Sequence, residues 1–233
     1  MSSRSSGLSQ TLRAPGRFVV GSVPASGDCF YDCLHLQLGP DRDLPELADA
    51  DAMRDAVAES LNEETFELYK MFAMAGVEGY EFMRHHRAPS SLEELQAFAR
   101  KRGRDCGAGQ CLWADEHALN ILSKLAGIRY LIFDEQATSR GSRSGRRREG
   151  DGDAPDSRFV CLGDDSNGLE RLVLLHRSRR QHYSPVFFDG RGVFELDSLP
   201  SATRHLWPAL RLAAGTSTSS ANPNGTAKRV KKS

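Results

Sequence analysis

The chain has 233 residues, enough for one domain with a substantial core, and 39% of them are hydrophobic. Its 31 Lys+Arg balance 31 Asp+Glu, so it lacks the overall basic charge of a general nucleic-acid binder. No apolar run approaches the roughly 20 residues that span a bilayer, and the five cysteines are too few, and odd in number, for a disulfide scaffold.

Residues 1–16 are rich in Ser and begin without the apolar stretch of a secretory signal, which predicts a disordered lead-in to a soluble, cytoplasmic protein. Arg17 to Val20 reads as a short strand. Pro24-Ala25-Ser26-Gly27-Asp28 is a turn-forming stretch, and the apolar-periodic run Cys29–Leu38 after it predicts a helix stopped by Gly39-Pro40. Pro45 fits the first turn of a helix reaching Leu61, with Met53, Val57 and Leu61 on one stripe. A second helix is expected over Phe66 to Met74, with the Phe72–Met74 cluster in the core, and a short one over Glu78–His85. Ser91-Leu92-Glu93-Glu94 has capping-box spacing and opens a helix through Lys101; Asp115–Leu125 is a further helix that Gly127 would stop.

The second half changes to strands. Ile128–Phe133 is a continuous apolar run, and Arg158–Leu162, Arg171–His176, Pro185–Phe188 and Val193–Leu196 are further candidates. Residues 138–157 hold arginines, acids, Gly and Ser with almost nothing apolar, and read as a disordered insertion. From Gly215 the chain is again of low complexity, and Lys228-Arg229-Val230-Lys231-Lys232 has the make-up of a short nuclear-import signal. Helices first and strands afterwards predict an α+β domain, a small central β-sheet flanked by helices, over residues 17–212, with a disordered basic tail at 213–233.

Two residues stand out chemically. A thiol at the start of a helix, such as Cys29, meets unpaired backbone N–H groups and the positive end of the helix dipole, which favour the thiolate. The same N–H groups, with those of Ser26, Gly27 and Asp28, can stabilise an oxyanion, and the Asp28 carboxylate is suited to hold the loop by local N–H bonds. His182, at the entry to a strand and far from Cys29 in sequence, is placed as a base for a thiol nucleophile. Zinc is the chemical rival, through Cys29, Cys33 and His35 or Cys106, Cys111 and His117. Neither set has the close paired spacing of a knuckle or finger, so no metal is assigned.

Ser26-Gly27-Asp28-Cys29-Phe30-Tyr31 resembles the nucleophile segment of ovarian-tumour (OTU) cysteine proteases, Asp-Gly-(Asp/Asn)-Cys followed by aromatic or apolar residues. His182-Tyr183-Ser184-Pro185-Val186 resembles the family's His-(Tyr/Phe)-X-X-Val segment. Trp113-Ala114-Asp115 with the strand from Ile128 resembles its Trp-Gly segment, helix and next strand. All three occur in the family's order and span about residues 19–188.

The resemblance implies a papain-like OTU fold and a deubiquitinase cleaving peptide or isopeptide bonds at the C-terminus of ubiquitin or a ubiquitin-like protein. It implies Cys29 as nucleophile, His182 as base, and Trp113 and Tyr183 lining the substrate channel. It calls for no cofactor; the absence of a long apolar run argues against a membrane, and the balanced charge against nucleic acid as a partner. Ser26 stands where the family has Asp, and Ser184 where an acidic or amide residue orients the imidazole. The third member is then Ser184, a carboxylate recruited from elsewhere such as Asp189 or Asp197, or absent. The same departures define the alternative, a catalytically weak or inactive ubiquitin-binding module.

Overall fold

The computed structural model describes residues 17–39, 44–77, 79–84, 88–107, 110–134, 159–162, 171–178, 182–195 and 198–200. The expected lead-in 1–16, the insertion 138–157 and the tail 213–233 lie outside these residues, as does Asp197.

In chain order the elements are β1 (Phe18–Val20), α1 (Cys29–Leu38), a 3-10 turn (Pro45–Leu47), α2 (Ala50–Ser60), α3 (Glu63–Met74), a 3-10 turn (Glu81–Arg84), α4 (Leu92–Arg100), α5 (Gly103–Cys106), α6 (Glu116–Ala126), β2 (Ile128–Asp134), β3 (Phe159–Leu162), β4 (Arg171–Arg177), β5 (Tyr183–Phe188) and β6 (Val193–Glu195). This is the expected α+β arrangement. The single helix expected from Pro45 to Leu61 is split, because Asp49 caps a new start by accepting from the N–H groups of Asp51 (2.8 Å) and Ala52 (2.9 Å). Asn62, Ser91 and Asp115 cap α3, α4 and α6 in the same way. The expected Ser91/Glu94 capping box closes on one side only: Glu94 N–H donates to Ser91 Oγ, but the Glu94 carboxylate binds Ser90. Gly127 ends α6 in the left-handed conformation, as its position suggests. The Phe72–Met74 cluster is not uniformly core: Ala73 is buried, but Met74 is 87% exposed because its helix turns that side to solvent.

The sheet runs β1-β5-β4-β2-β3, with β6 also paired to β4. β2 and β4 are parallel in register from Ile128↔Arg171 to Asp134↔Arg177. β5 and β6 share the other edge of β4, β6 along Arg171–Val173 and β5 along Leu175–Arg177. Leu174 falls in the gap between them, and its carbonyl accepts from Gln37 Nε2 at 2.8 Å. That nitrogen also donates to Val186 O at 3.1 Å. A buried side chain of α1 thus takes up carbonyls left by a break in the ladder, and fixes the helix on the sheet. Gly192 lets Gln37 approach, since a Cβ there would lie 2.8 Å from Gln37 Cγ.

Alternation along the strands divides the sheet's side chains between two cores. Tyr130, Ile132, Val173, Leu175 and Tyr183 pack with Phe30, Cys33 and Leu34 of α1 and with residues of α2 and α6. Leu131, Leu172, Leu174 and Val186 form the other face with Phe18, Phe194 and Leu199. A third cluster lies among the helices, around Ala58, Leu61, Phe66, Tyr69, Leu95 and Leu112. The first cluster sets the site, because it holds the N-terminus of α1 against the start of β5. Phe30 sits edge-on to Tyr183 (ring centroids 5.2 Å) and to Tyr130 (5.4 Å).

Candidate active site

Cys29 is the first residue of α1, and Gly27, at φ +96°, makes the turn into it. The main-chain N–H of Tyr183 donates to Cys29 Sγ at 3.5 Å, although the two residues lie 154 positions apart. Tyr183 follows His182, so the nucleophile segment and the histidine segment meet here. The Tyr183 ring, expected along a substrate channel, is buried against Phe30 with its hydroxyl 3.5 Å from Arg177 Nη1. What Tyr183 presents to Cys29 is its main chain. Ser184 is buried in β5 and lies across from His176 of β4. The histidine ring of His176 in turn stacks on Phe133 at 5.4 Å.

The thiol departs from the sequence expectation. Burial pushes the Cys29 pKa above its ordinary value, and the Asp32 carboxylate one turn along α1 pushes it further. The N–H groups of Tyr183 and Phe30 pull the other way without prevailing. The helix-end effect is present but outweighed by burial.

Asp28, immediately before the nucleophile, is fully buried. It makes no cap to α1. Its carboxylate accepts from Arg54 Nε (2.8 Å), Gly103 N (3.1 Å) and Arg104 N (3.0 Å), and forms an ion pair with Arg102 at 3.3 Å. It does hold the loop, but through groups 26 to 76 residues away rather than through local N–H bonds. Burial alone would raise its pKa; the Arg104 and Gly103 N–H bonds and the Arg54 charge reverse the sign and hold it below the ordinary carboxylate value. The local contact belongs to Ser26, whose Oγ lies 3.4 Å from Asp28 N.

Arg54 joins these parts, and it was not among the candidates. Its side chain is fully buried on α2, where it donates to Asp28, to Gly27 O (3.1 Å), to Ala99 O (2.8 Å) and to Leu112 O (3.0 Å). Its guanidinium lies over the Tyr31 ring, 4.5 Å from the centroid. The loop before Cys29, the end of α4 and the residue before Trp113 are therefore tied to one cation. Trp113 itself is 41% exposed. Residues Ala50, Met53, Val57 and Ala58 form the buried stripe of α2, and Arg54 falls within it. A charge on an apolar stripe is the signal that could have found it.

Asp189, one of the carboxylates considered for the triad, sits past the far end of β5 and pairs with Arg17. The 6 residues of β5 separate it from His182, roughly 20 Å of extended chain. The described carboxylate at the Tyr183 end of the sheet is Asp134, the last residue of β2, which is bound by Arg177. Of the residues considered for zinc, Cys33 is core, His117 Nε2 lies 2.9 Å from Ser60 Oγ, and Cys106 Sγ contacts Arg102 O. Among the described residues no helix is long and apolar enough to cross a membrane.

No family model and no curated protein matches the chain. Among solved structures it is similar to ovarian tumour (OTU) domains. One is an OTU domain in complex with ubiquitin, with 12% identity, 84% of this chain and 85% of that chain covered, and a TM-score of 0.46. Another is the OTU domain of OTUD1, with 13% identity, 78% and 93% covered, and a TM-score of 0.43. A third is an OTU deubiquitinase from Wolbachia pipientis wMel bound to ubiquitin, with 14% identity, 76% and 100% covered, and a TM-score of 0.40. These values describe a likeness in the course of the chain; the reading of the site rests on its own geometry.

Proposed function

We propose that this chain is a cysteine protease of the ovarian-tumour type, one domain over residues 17–212, that hydrolyses peptide or isopeptide bonds at the C-terminus of ubiquitin or a ubiquitin-like protein. The observation that carries the reading is the meeting of Cys29 Sγ with the main chain next to His182, at the N-terminus of a helix whose preceding loop is tied down from within.

The first event is proton transfer from Sγ to the imidazole of His182. The thiolate attacks the scissile carbonyl carbon; a C–S bond forms and the carbonyl π pair moves to oxygen. N–H groups of Gly27, Asp28 and Cys29 receive that oxyanion. Collapse breaks the C–N bond, and the imidazolium returns its proton to the leaving amine. Water, deprotonated by His182, then attacks the thioester, releases the carboxylate and restores the thiol. Ser184 serves as the orienting group for the imidazole, as a neutral acceptor in place of a carboxylate. Trp113 forms a wall for the extended Gly-Gly tail.

The test is turnover of a fluorogenic amide at the C-terminus of ubiquitin. Wild type is expected to release the fluorophore, Cys29→Ala to abolish release, and His182→Ala to lower kcat by at least about 100-fold. Undiminished turnover in Cys29→Ala would discard the nucleophile assignment.

A further inference from the structure

We infer that Arg54 and Gly103 are positioning residues that aim the oxyanion-binding amides. The inference builds on the reading of Cys29 as an acyl-accepting nucleophile. Two successive carbonyls precede the nucleophile, those of Ser26 and Gly27. Gly27 O accepts from buried Arg54 Nη2 at 3.1 Å. Ser26 O lies against the Gly103 backbone so closely that a Cβ on Gly103 would stand 1.8 Å from it. Both carbonyls thus point into the protein. The described residues contain no cis peptide bond, and in a trans peptide the N–H points opposite to the C=O. The N–H groups of Gly27 and Asp28 therefore face away from Arg54 and Gly103; the Asp28 N–H meets only the Ser26 hydroxyl, at 3.4 Å, a long contact that an anionic oxygen displaces. With the N–H of Cys29 at the head of α1 they make a run of successive donors, a geometry that binds anionic oxygen.

Arg54 does not act alone on this loop. It holds Asp28 Oδ1 at 2.8 Å, and the same oxygen accepts from Gly103 N at 3.1 Å. The carboxylate therefore fixes Arg54 and Gly103 relative to one another. Arg54 also anchors to Ala99 O and Leu112 O, elements outside the loop. The peptide planes are set before a substrate arrives, which is what electrostatic stabilisation of an oxyanion requires.

The test compares two reagents at one sulfur in the full chain. Iodoacetamide alkylates Cys29 by displacing iodide and builds no oxyanion. p-Nitrophenyl acetate acetylates it through a tetrahedral oxyanion, forming the C–S bond and expelling p-nitrophenolate. Arg54→Lys keeps a positive charge for Asp28, but one ammonium cannot also hold Gly27 O, Ala99 O and Leu112 O. The expected result is a fall of about 10- to 100-fold in acetylation of Cys29, with alkylation within about threefold of wild type. Equal falls in both rates, or no fall in acetylation, would overturn the inference.

A measurement on wild type covers the case in which the variant does not fold. Amide proton resonances of Gly27 and Asp28 should move downfield when Cys29 forms a hemithioacetal with N-acetylglycinal, and not when it is carboxamidomethylated. Unmoved resonances would overturn the inference as well. If wild-type Cys29 takes neither reagent, the nucleophile assignment falls and this inference with it. If it takes both but ubiquitin substrates are left intact, the substrate reading falls alone.

Discussion

Replacing Gly103 with alanine would set a methyl group 1.8 Å from the carbonyl oxygen of Ser26 and 3.0 Å from Gly27 Cα. Both neighbours are backbone, so no side chain can swing aside. Restoring ordinary contact needs a separation of about 1.5 Å between the Ser26 peptide and residue 103. The Gly103 N–H to Asp28 bond, 3.1 Å long, would be stretched by that movement. Overpacking of this kind costs about 1–3 kcal/mol, and a lost hydrogen bond to a buried carboxylate adds roughly 1.5–3 kcal/mol. A total near 3–5 kcal/mol is a large part of the ~5–15 kcal/mol that holds a domain together. Followed by circular dichroism, thermal unfolding should move down by about 10 °C. Acyl transfer at 20 °C, where most molecules remain folded, should fall further than the unfolded fraction accounts for. A Gly103→Ala protein that melts within about 2 °C of wild type and retains its acyl-transfer rate would refute the packing argument.

The thiol and the orienting group give two further tests. Asp32 raises the Cys29 pKa, so Asp32→Asn should lower it; alkylation by iodoacetamide near neutral pH should speed up about two- to fivefold, the effect of ~0.5–1 kcal/mol. The alkylation-rate profile should shift to lower pH, and an unchanged profile would remove Asp32 from the electrostatics of the site. Ser184→Ala removes a neutral hydrogen-bonding group worth about 0.5–1.5 kcal/mol, so kcat should drop about two- to tenfold with KM unchanged. A kcat equal to wild type would show that the imidazole is oriented by another group.

Much of the fold is local in origin and was legible in the sequence. Apolar period, capping residues and Gly127 set α1, α3, α4 and α6, and the run Ile128–Phe133 set a central strand, which the structure extends to Asp134. The split before α2 depended on Asp49 acting as a cap where the pattern suggested continuity. Cys29 stood out because a turn leads straight into an apolar helix. Arg54 did not, since an arginine on an amphipathic helix ordinarily faces water; its place on the buried stripe was the overlooked clue. Gly103 was hidden more deeply. Its need for a missing Cβ arises from a contact with Ser26, 77 positions earlier, that no local pattern encodes. The thiol pKa failed to follow from the helix dipole for a related reason: burial and the turn-distant Asp32 are properties of the packed state.

The central claim is that Cys29 acts on the C-terminus of ubiquitin or a ubiquitin-like protein with His182 as its base. It is tested most directly by incubating the protein with ubiquitin bearing a thiol-reactive electrophile at its C-terminus, then mapping the adduct by mass spectrometry. The account predicts one covalent adduct on Cys29 in wild type, none in Cys29→Ala, and slowed formation in His182→Ala. An adduct on another cysteine, or one that survives Cys29→Ala, would contradict it; a wild type that binds unmodified ubiquitin without reacting would mark a binding module instead. No reaction and no binding, with ubiquitin and with ubiquitin-like proteins carrying the same electrophile, would contradict the substrate class.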